Sequence, residues 1–338
     1  MDQKKNKSRR RLIIGLTLSL TTVGAVLYGL ADRYLIEHVE VIVQPASASA
    51  VSVPASGTAS AAATATAAGT ASGTDAASVA GGGAAGNVTS DDWNYFSDSM
   101  DIAIKKVEAG TGADKITYYV ADVQTKDAAK LLTAFADNAF GRNVTEDTSV
   151  IAEANNAILA INGDYYGFRN DGIVIRNGTL YRNEPAREGL ALYKDGTMKS
   201  YNEEEVSADD LLAQGVTNTF SFGPALVKEG TAVDNFDSVK IDTNFGNRTI
   251  DGANPRTGIG MISPNHFVLV VVDGRQQTYS RGMTLNEFAH IFDDLGATEA
   301  YNLDGGGSST MYFMGRVVNS PGSKGRERGV SDIIYFAE

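Results

Sequence analysis

Apolar residues recur at helical spacing in one segment near the C-terminus. One face of this segment carries the apolar side chains of Leu285, Phe288, Phe292 and Leu295. Thr284 and Glu287 form a capping box in front of that face, and Gly296 follows it. The pattern therefore predicts a helix that begins after Thr284 and stops at Gly296. Similar signals predict a helix from Asp127 to Phe140, ended by Gly141, and a short helix between Ser207 and Gly215.

Apolar or alternating runs bounded by turn residues predict strands. The runs are Ile116 to Val120, Ala157 to Ile161, Gly172 to Arg176, Leu190 to Tyr193, Phe267 to Val272, Glu299 to Leu303 and Ile333 to Phe336. Three dipeptides, Asn177-Gly178, Asp195-Gly196 and Glu229-Gly230, separate runs that we expect to pair as hairpins. The pattern predicts an α+β domain with a mixed, largely antiparallel sheet and a few packed helices.

The N-terminal segment has a different pattern. Residues 1–11 hold six Lys or Arg residues against Asp2, and Leu12 to Ala31 is a run of twenty residues without a charge. Twenty residues at about 1.5 Å each match the hydrocarbon thickness of a bilayer, about 30 Å. With the cations on its N-terminal side, the run predicts a transmembrane anchor whose N-terminus is cytoplasmic. A cleaved signal peptide is the alternative, for which the run is long.

Residues 32–90 are predicted to be an extracytoplasmic linker. From Pro45 to Gly86 the chain is almost entirely Ala, Ser, Thr, Gly and Val, with Asp75 as its single charge. Such a composition cannot bury enough apolar surface to form a core. We therefore expect a flexible linker, and a globular domain over residues 91–338.

Composition excludes two classes of chemistry. The chain has no cysteine, so thiolate nucleophiles and thiolate metal sites are ruled out. The net charge of −12 over 338 residues becomes −17 without the basic first eleven residues, and this acidity argues against a nucleic-acid partner. The three histidines are scattered and have neither zinc-site nor catalytic-triad spacing.

Four polar segments follow or precede predicted strands, where a rigid scaffold presents side chains to a loop. They contain Asn162 and Asp164; Arg256 and Thr257; Asp273 and Arg275; and Asn302, Asp304, Gly305, Gly306, Gly307, Ser308 and Ser309. In the last segment three glycines permit close approach of backbone amides to an anion. Each segment also has a purely structural interpretation, such as a tight glycine loop or an Asp-Gly hairpin turn.

Six motifs, in this order, resemble the phosphodiester glycosidase family, which is related to the lysosomal uncovering enzyme and has bacterial relatives associated with exopolysaccharide. The motifs are NGDYYG, SFGPALVKEG, NPRTGIG, VVVDGR, GMTLNEFAHIFDDLGA and NLDGGGSSTMY. The resemblance runs from about Ile151 to the C-terminus and leaves residues 91–150 uncovered. It implies hydrolysis of a sugar-1-phosphodiester at the anomeric carbon. One departure is the tail Arg328-Gly329-Val330-Ser331-Asp332.

The resemblance also implies roles for the candidate residues. Arg256 would hold the phosphate, and Asp304 would act at the anomeric centre with Asn302 beside it. Asp164 would be the second carboxylate. Substrate contacts would come from Asn162, Thr257, Asp273, Arg275, Gly305, Gly306, Gly307, Ser308 and Ser309. A divalent cation that bridges carboxylate and phosphate is compatible with this chemistry, but the sequence assigns it no ligands.

The expected function is that of a membrane-anchored glycosidase acting on glycosyl-phosphate groups of envelope or exopolysaccharide glycopolymers. The alternative is a non-catalytic glycopolymer-binding protein in exopolysaccharide assembly. A third reading is a metal-dependent phosphodiesterase that cleaves the P–O bond.

Overall fold

The structure is a computed structural model that describes residues 21–33, 35–43, 88–127, 130–236, 239 and 252–338. Four α-helices lie in these ranges: α1 (residues 21–33), α2 (Thr148–Ala154), α3 (Ala208–Ala213) and α4 (Leu285–Asp294). Four 3-10 turns are also described, Gly112–Asp114, Ala136–Asn138, Tyr166–Phe168 and Gly306–Ser308.

The remaining ordered backbone is β-structure. The strands in chain order are β1 (His38–Ile42), β2 (Thr89–Ser90), β3 (Asn94–Phe96), β4 (Met100–Ala109), β5 (Ile116–Thr125), β6 (Leu131–Phe135), β7 (Ala139–Arg142), β8 (Leu159–Asn162), β9 (Gly172–Arg176), β10 (Thr179–Glu184), β11 (Glu188–Tyr193), β12 (Met198–Asn202), β13 (Val216–Phe220), β14 (Ala225–Lys228), β15 (Thr231–Ala232), β16 (Arg256–Ser263), β17 (His266–Val272), β18 (Glu299–Leu303), β19 (Met311–Phe313), β20 (Arg316–Val317) and β21 (Asp332–Phe336).

Two sheets dominate the architecture. The larger has nine strands in the order β15-β14-β18-β16-β17-β5-β4-β3-β2, and the second has five in the order β20-β19-β8-β21-β6. Smaller sheets are formed by β12-β11-β13, by β9 with β10, and by β1 with β7. Every ladder between described strands is antiparallel, so the α+β prediction is confirmed and the expected mixture of strand directions is absent from this part of the chain.

The core lies between the two large sheets. Alternating side chains of β17 divide between two layers, because successive residues of a strand point to opposite faces. Leu269 and Val271 pack against Ile161 and Phe336 of the five-stranded sheet. Val268, Val270 and Val272 pack on the other face against α4, through its apolar side chains Leu285, Phe288 and Phe292.

Helix α4 sits close to the sheet because β16 has glycines beneath it. A Cβ atom on Gly258 would lie 2.9 Å from the Phe288 ring, and one on Gly260 would lie 2.7 Å from the Phe292 ring. The predicted capping box is present, with the Thr284 hydroxyl and the Glu287 carboxylate each accepting from the other's backbone amide. The predictions of α4 and of α3 are therefore confirmed.

The predicted helix from Asp127 to Phe140 is wrong. Residues Leu131–Phe135 and Ala139–Arg142 are strands, and Asp137 and Asn138 between them have left-handed φ values of 51° and 50°. A short apolar run fits both the helical and the strand period of hydrophobicity. Here the pairing of β6 with β21 makes the run a strand. All seven predicted strands occur, β9 and β18 with the predicted ends and the other five with shifted ends. The three predicted hairpin turns connect β9 to β10, β11 to β12 and β14 to β15.

The N-terminal part differs from the expected linker in one place. Residues 38–42, which fall within the predicted linker, form β1 and pair with β7 of the globular domain. The predicted anchor 12–31 lies outside the described residues up to position 20, and residues 21–33 are helical. Within the described ranges, no helix combines the length and the apolar character needed for a membrane crossing. Most of the predicted linker also lies outside these ranges.

Candidate active site

Three neighbouring strands of the large sheet, β18, β16 and β17, place three of the four predicted segments at one end of the sheet. Thr257 near the start of β16 pairs with Leu303 at the end of β18, and Arg256 pairs with Val272 at the end of β17. Asp304 therefore leaves the sheet beside Arg256, and Asp273 leaves it on the other side of Arg256. Antiparallel order brings the start of one strand next to the ends of both neighbours.

Asn162 at the end of β8 connects the second sheet to this edge. Its Nδ2 donates to the carbonyl of Asp304 at 2.7 Å, and its Oδ1 accepts from the Thr257 hydroxyl at 2.8 Å and from the Thr310 amide at 3.2 Å. Asn162 and Thr257 are both fully buried. Their side chains thus hold the loop after β18 in place and do not face solvent.

Asp304 is the acid at the centre of the edge. Its Oδ2 accepts from the Ser308 hydroxyl at 2.6 Å and from Nη2 of Arg328 at 3.2 Å. Burial raises the pKa of Asp304, while the charges of Arg328 and Arg169 and the Ser308 hydrogen bond act in the opposite direction. The result is a carboxylate held in position by two donors in a largely desolvated setting.

The three glycines after Asp304 form a tight turn. Gly305 has no room for a side chain, since a Cβ would lie 2.7 Å from the carbonyl oxygen of Pro255, and Gly306 has a left-handed φ of 66°. The amide of Gly306 donates to Pro255 and that of Ser308 donates to Gly305. Two amides are thus used within the turn, so the loop offers less of an amide cradle than the sequence predicts.

Arginines flank this glycine turn. A Cβ on Gly306 would lie 3.3 Å from Nη1 of Arg275, and a Cβ on Gly307 would lie 3.2 Å from Cδ of Arg328. The glycines therefore let two guanidinium groups approach the backbone next to Asp304. Arg328 was not a candidate from sequence, although it stands in the tail where the family resemblance departs.

Arg256 and Arg275 form a pair of cations beside the turn. Arg256 donates from Nε to the Met283 carbonyl and from Nη2 to the Gly252 carbonyl, and Arg275 donates twice to Oδ1 of Asn254. Burial and the charge of Arg275 lower the pKa of Arg256 to about 10. Two guanidinium groups thus lie close together beside the turn that carries Asp304, and an anion bound between them would reduce their mutual repulsion.

Asp164 lies behind the site instead of facing it. Its side chain has no exposed surface and accepts from the amides of Tyr166 and Ser221, each at 3.0 Å. Its Oδ2 also lies 3.2 Å from Nη2 of Arg176, which binds Asp332 as well. With its oxygens used in this way, Asp164 supports the loop 163–169. Its role as a second carboxylate of the cavity stays a prediction.

Asp273 is also a structural brace. Its carboxylate accepts from the Asn319 amide, the Ser320 backbone amide and the Tyr279 hydroxyl at 2.9 to 3.1 Å. It is buried, and burial raises its pKa while these three donors lower it. Asp273 therefore fixes Asn319 and Ser320, which follow β20, and its direct contact with a substrate stays a prediction.

Two predicted residues keep buried polar atoms that have no partner in the described part of the chain. Nδ2 of Asn302 donates to the Gly223 carbonyl at 2.8 Å, whereas its Oδ1 accepts no hydrogen bond there. The Ser309 hydroxyl is in the same state, with 1% of the residue exposed. A buried polar atom without a hydrogen bond lowers the stability of the fold unless it gains a hydrogen-bond partner.

Aromatic side chains form a wall near Asp304. Arg169, which the sequence analysis did not name as a candidate, lies against this wall. Tyr165 stacks on Phe168 at 4.6 Å between ring centroids, and the guanidinium of Arg169 lies 5.3 Å from the Tyr165 ring and 5.0 Å from the Phe222 ring. The three rings are partly exposed. Arg169 lies two residues after the NGDYYG motif. The aromatic residues before this arginine are the sequence signal that could have identified it as a candidate.

No group of three or more His, Asp or Glu side chains in the described ranges is arranged to hold a metal ion.

Comparison with known proteins identifies relatives over the same region. A family model described as phosphodiester glycosidase matches residues 155–337. An uncharacterized protein, YomE, derived from the SPbeta prophage of Bacillus subtilis strain 168 is 33% identical over 207 residues, which cover 59% of this chain and 30% of that protein. The mouse N-acetylglucosamine-1-phosphodiester alpha-N-acetylglucosaminidase is 27% identical over 191 residues, 53% of this chain and 36% of that enzyme. The chain thus spans about a third of the length of these relatives.

A solved structure shares the fold. The zebrafish N-acetylglucosamine-1-phosphodiester alpha-N-acetylglucosaminidase catalytic domain, auto-inhibited by its pro-peptide, superposes with a TM-score of 0.58 at 23% identity. The match covers 72% of this chain and 84% of that one. The family model covers more than half of the chain and includes every predicted site residue. The chain therefore belongs to the phosphodiester glycosidase family.

Proposed function

We propose that the chain hydrolyses the anomeric bond of a sugar-1-phosphodiester, as a membrane-anchored extracytoplasmic glycosidase acting on envelope or exopolysaccharide glycopolymers. The observation that carries this proposal is the placement of one buried carboxylate, Asp304, at a sheet edge that also holds Arg256, Arg275 and Arg328. A sugar-1-phosphodiester fits this combination, since its phosphate anion is joined to the reacting carbon through a single bridging oxygen.

The phosphate would bind on the arginine side of the site. An anion between Arg256 and Arg275 relieves the repulsion that lowers the pKa of Arg256. Arg275 lies against Gly306, so a phosphate held by it is next to the turn that carries Asp304. Guanidinium groups bind phosphate with paired donors, which also orients the bond to be cleaved.

The sugar would then lie between Asp304 and the aromatic wall of Tyr165, Phe168 and Phe222. Aromatic rings present a flat apolar surface that suits the C–H face of a pyranose. In the reaction, the bond between the anomeric carbon and the phosphate oxygen breaks, and both electrons leave with the phosphate. The Asp304 carboxylate stabilises the positive charge that develops on the sugar, and water supplies the new hydroxyl.

One facing carboxylate is enough for this chemistry. A glycosidase normally has a second carboxyl group that protonates the leaving oxygen. A phosphate has a second pKa of about 6, so it leaves with little help from an acid. The position of Asp164 behind the site is therefore compatible with the proposed reaction.

The membrane anchor and the extracytoplasmic location rest on the charge-free run 12–31 and the six cations before it. A glycopolymer outside the membrane is then the substrate class within reach of the site.

The decisive experiment incubates the full chain in detergent with alkyl phosphodiesters of several N-acetylhexosamines in water labelled with oxygen-18. We expect free sugar that carries the label, and an Asp304→Asn variant slower by a factor of about 10³ or more, since it removes the charge that stabilises the transition state. Label on the phosphate would point to P–O cleavage instead. Substrate binding without any hydrolysis, unchanged in Asp304→Asn, would favour the glycopolymer-binding alternative.

A further inference from the structure

The strand β1 precedes the low-complexity linker but is part of the folded domain. Its backbone pairs antiparallel with β7, with His38 opposite Arg142 and Ile42 opposite Ala139. The amide of Val43 extends the ladder to the carbonyl of Asn138 at 2.7 Å. The structure describes the chain up to residue 43 and again from residue 88, shortly before β2 begins.

Gly141 of β7 is shaped to receive β1. A Cβ atom there would clash with the carbonyl oxygen of His38 and would lie 2.9 Å from the carbonyl carbon of that residue. The three atoms that this Cβ would meet first all belong to His38 and Val39. Glycine inside a strand normally weakens it and often marks close approach of another backbone. At position 141 the approaching backbone is β1.

Asn143 holds the connection between α1 and β1. Its Nδ2 donates to the carbonyls of Asp32 at 3.2 Å and Ile36 at 2.7 Å, and its backbone has a left-handed φ of 59°. Asn143 is 7% exposed, so these hydrogen bonds are shielded from water. The side chain of His38 lies 3.0 Å from that of Asp32, which closes the connection on its other side.

The side chains of the docked segment remain apolar and exposed. The exposed residues are Leu35, Ile36, Val39, Val41 and Ile42, with exposed fractions between 38% and 79%. They follow the charge-free run that is proposed to cross the membrane, after three intervening residues, Asp32, Arg33 and Tyr34. Glu37 and Glu40 lie among them, and their negative charges disfavour electrostatic binding of this segment to an anionic lipid surface. Apolar side chains continuous with a membrane span fit the boundary between lipid headgroups and acyl chains.

We propose that β1 docks the catalytic domain directly on the outer surface of the lipid bilayer, with residues 35–42 in contact with lipid, and that the 44–87 segment does not set the distance between domain and membrane. The four residues between α1 and β1 span at most about 14 Å. A flexible linker of residues 32–88 would instead give an average separation of about 40 Å. This inference rests on the membrane anchor of the proposed function, but not on its hydrolytic activity.

The first test uses the full chain in phosphatidylcholine liposomes. Because the chain has no cysteine, single Ile42→Cys and Phe96→Cys variants can carry an environment-sensitive fluorophore at one site each. Both positions hold exposed apolar side chains, on different sheets. We expect quenching by spin-labelled lipid to be at least twofold stronger at Ile42 than at Phe96. Equal quenching at the two positions would overturn the proposed contact.

The second test measures energy transfer from the Phe96→Cys label to a dye-labelled lipid. Deletion of residues 48–84 should leave the transfer unchanged, because β1 holds the domain. A rise in transfer on this deletion would show that the linker is the tether and would overturn the proposal. Gly141→Ala should lower the transfer by releasing β1, whereas Gly252→Ala, with no atom closer than 3.9 Å to its new Cβ, should not.

These outcomes are separable from a failure of the proposed function. If alkaline carbonate removes the chain from liposomes, the anchor itself is wrong. If the chain stays inserted and hydrolyses nothing, the two fluorescence tests still decide whether the domain is docked.

Discussion

Arg328 donates from Nη2 to Oδ2 of Asp304 at 3.2 Å, across 24 residues of sequence. The same guanidinium donates to the Ser308 hydroxyl, which itself donates to that carboxylate oxygen. The side chain of Arg328 is 52% exposed and that of Asp304 is 12% exposed. A solvent-facing cation therefore opposes the rise that burial causes in the pKa of a buried acid.

Replacement of Arg328 by alanine should weaken catalysis and change its pH dependence. Loss of the cation lets burial raise the pKa of Asp304 further, so the acidic limb of the activity profile should move to higher pH. Loss of a hydrogen bond to a charged group, worth about 1.5–3 kcal/mol, predicts a fall in kcat/KM of roughly 10- to 150-fold. The measurement is kcat/KM between pH 4 and 8.

Two matched variants test whether the charge of Arg328 causes the predicted shift of the pH profile. Arg328→Lys keeps the charge and should restore most of the profile, and Arg326→Ala removes an exposed cation two residues away and should change nothing. An unshifted acidic limb in Arg328→Ala would mean that Asp304 is not the group that titrates.

Replacement of Arg275 by alanine should weaken anion binding and leave folding intact. Arg275 is exposed and donates to Asn254, so its loss removes one of two cations at the proposed phosphate position. We expect KM to rise about tenfold or more and inhibition by inorganic phosphate to weaken equally, with a smaller change in kcat. Arg281→Ala, which removes a cation paired with Glu287, is the control. An unchanged KM would place the phosphate elsewhere.

The close contact between β16 and α4 predicts that Gly260→Ala destabilises the domain. A Cβ at 2.7 Å from the Phe292 ring forces repacking, which typically costs about 1–3 kcal/mol. Urea unfolding measures this loss. Adding Phe292→Leu should recover part of it, because the smaller side chain vacates the space. If Gly260→Ala is as stable as the wild type, the contact is looser than the structure indicates.

The buried cluster of Arg176, Asp164 and Asp332 should make stability depend on pH. Burial raises the pKa of Asp332 to about 7, with Asp164 acting in the same direction and Arg176 opposing. The folded state then holds a proton that the unfolded state, with an ordinary Asp pKa of 3.8, releases. Stability should therefore fall as pH rises from about 4 to 7 and level off above, with a limiting slope of about 1.4 kcal/mol per pH unit.

Asp332→Asn removes this titration. The free energy of unfolding of the wild type relative to the variant should decline across that pH window, as measured by urea titrations at pH 5, 6, 7 and 8. A constant difference would show that Asp332 is ionised throughout.

Much of the fold could be predicted where the signal is local. The Thr284 and Glu287 capping box, the Asn177-Gly178 turn and the β18 strand with its glycine turn all depend on residues within a few positions of each other. Local signals failed at residues 127–140, where an apolar run of ambiguous period forms β6 because β21 lies beside it.

The sequence alone determined the family, the antiparallel α+β class, the position of α4 and the candidate segments around Arg256 and Asp304. These follow from local residue order and from motifs, which do not require knowledge of distant neighbours. The tertiary structure alone decided that Asp164 and Asp273 are braces, that Arg328 joins Asp304, and that β1 pairs with β7. Each of these depends on contacts between residues far apart along the chain, and the free energy of such contacts has no local signature in the sequence.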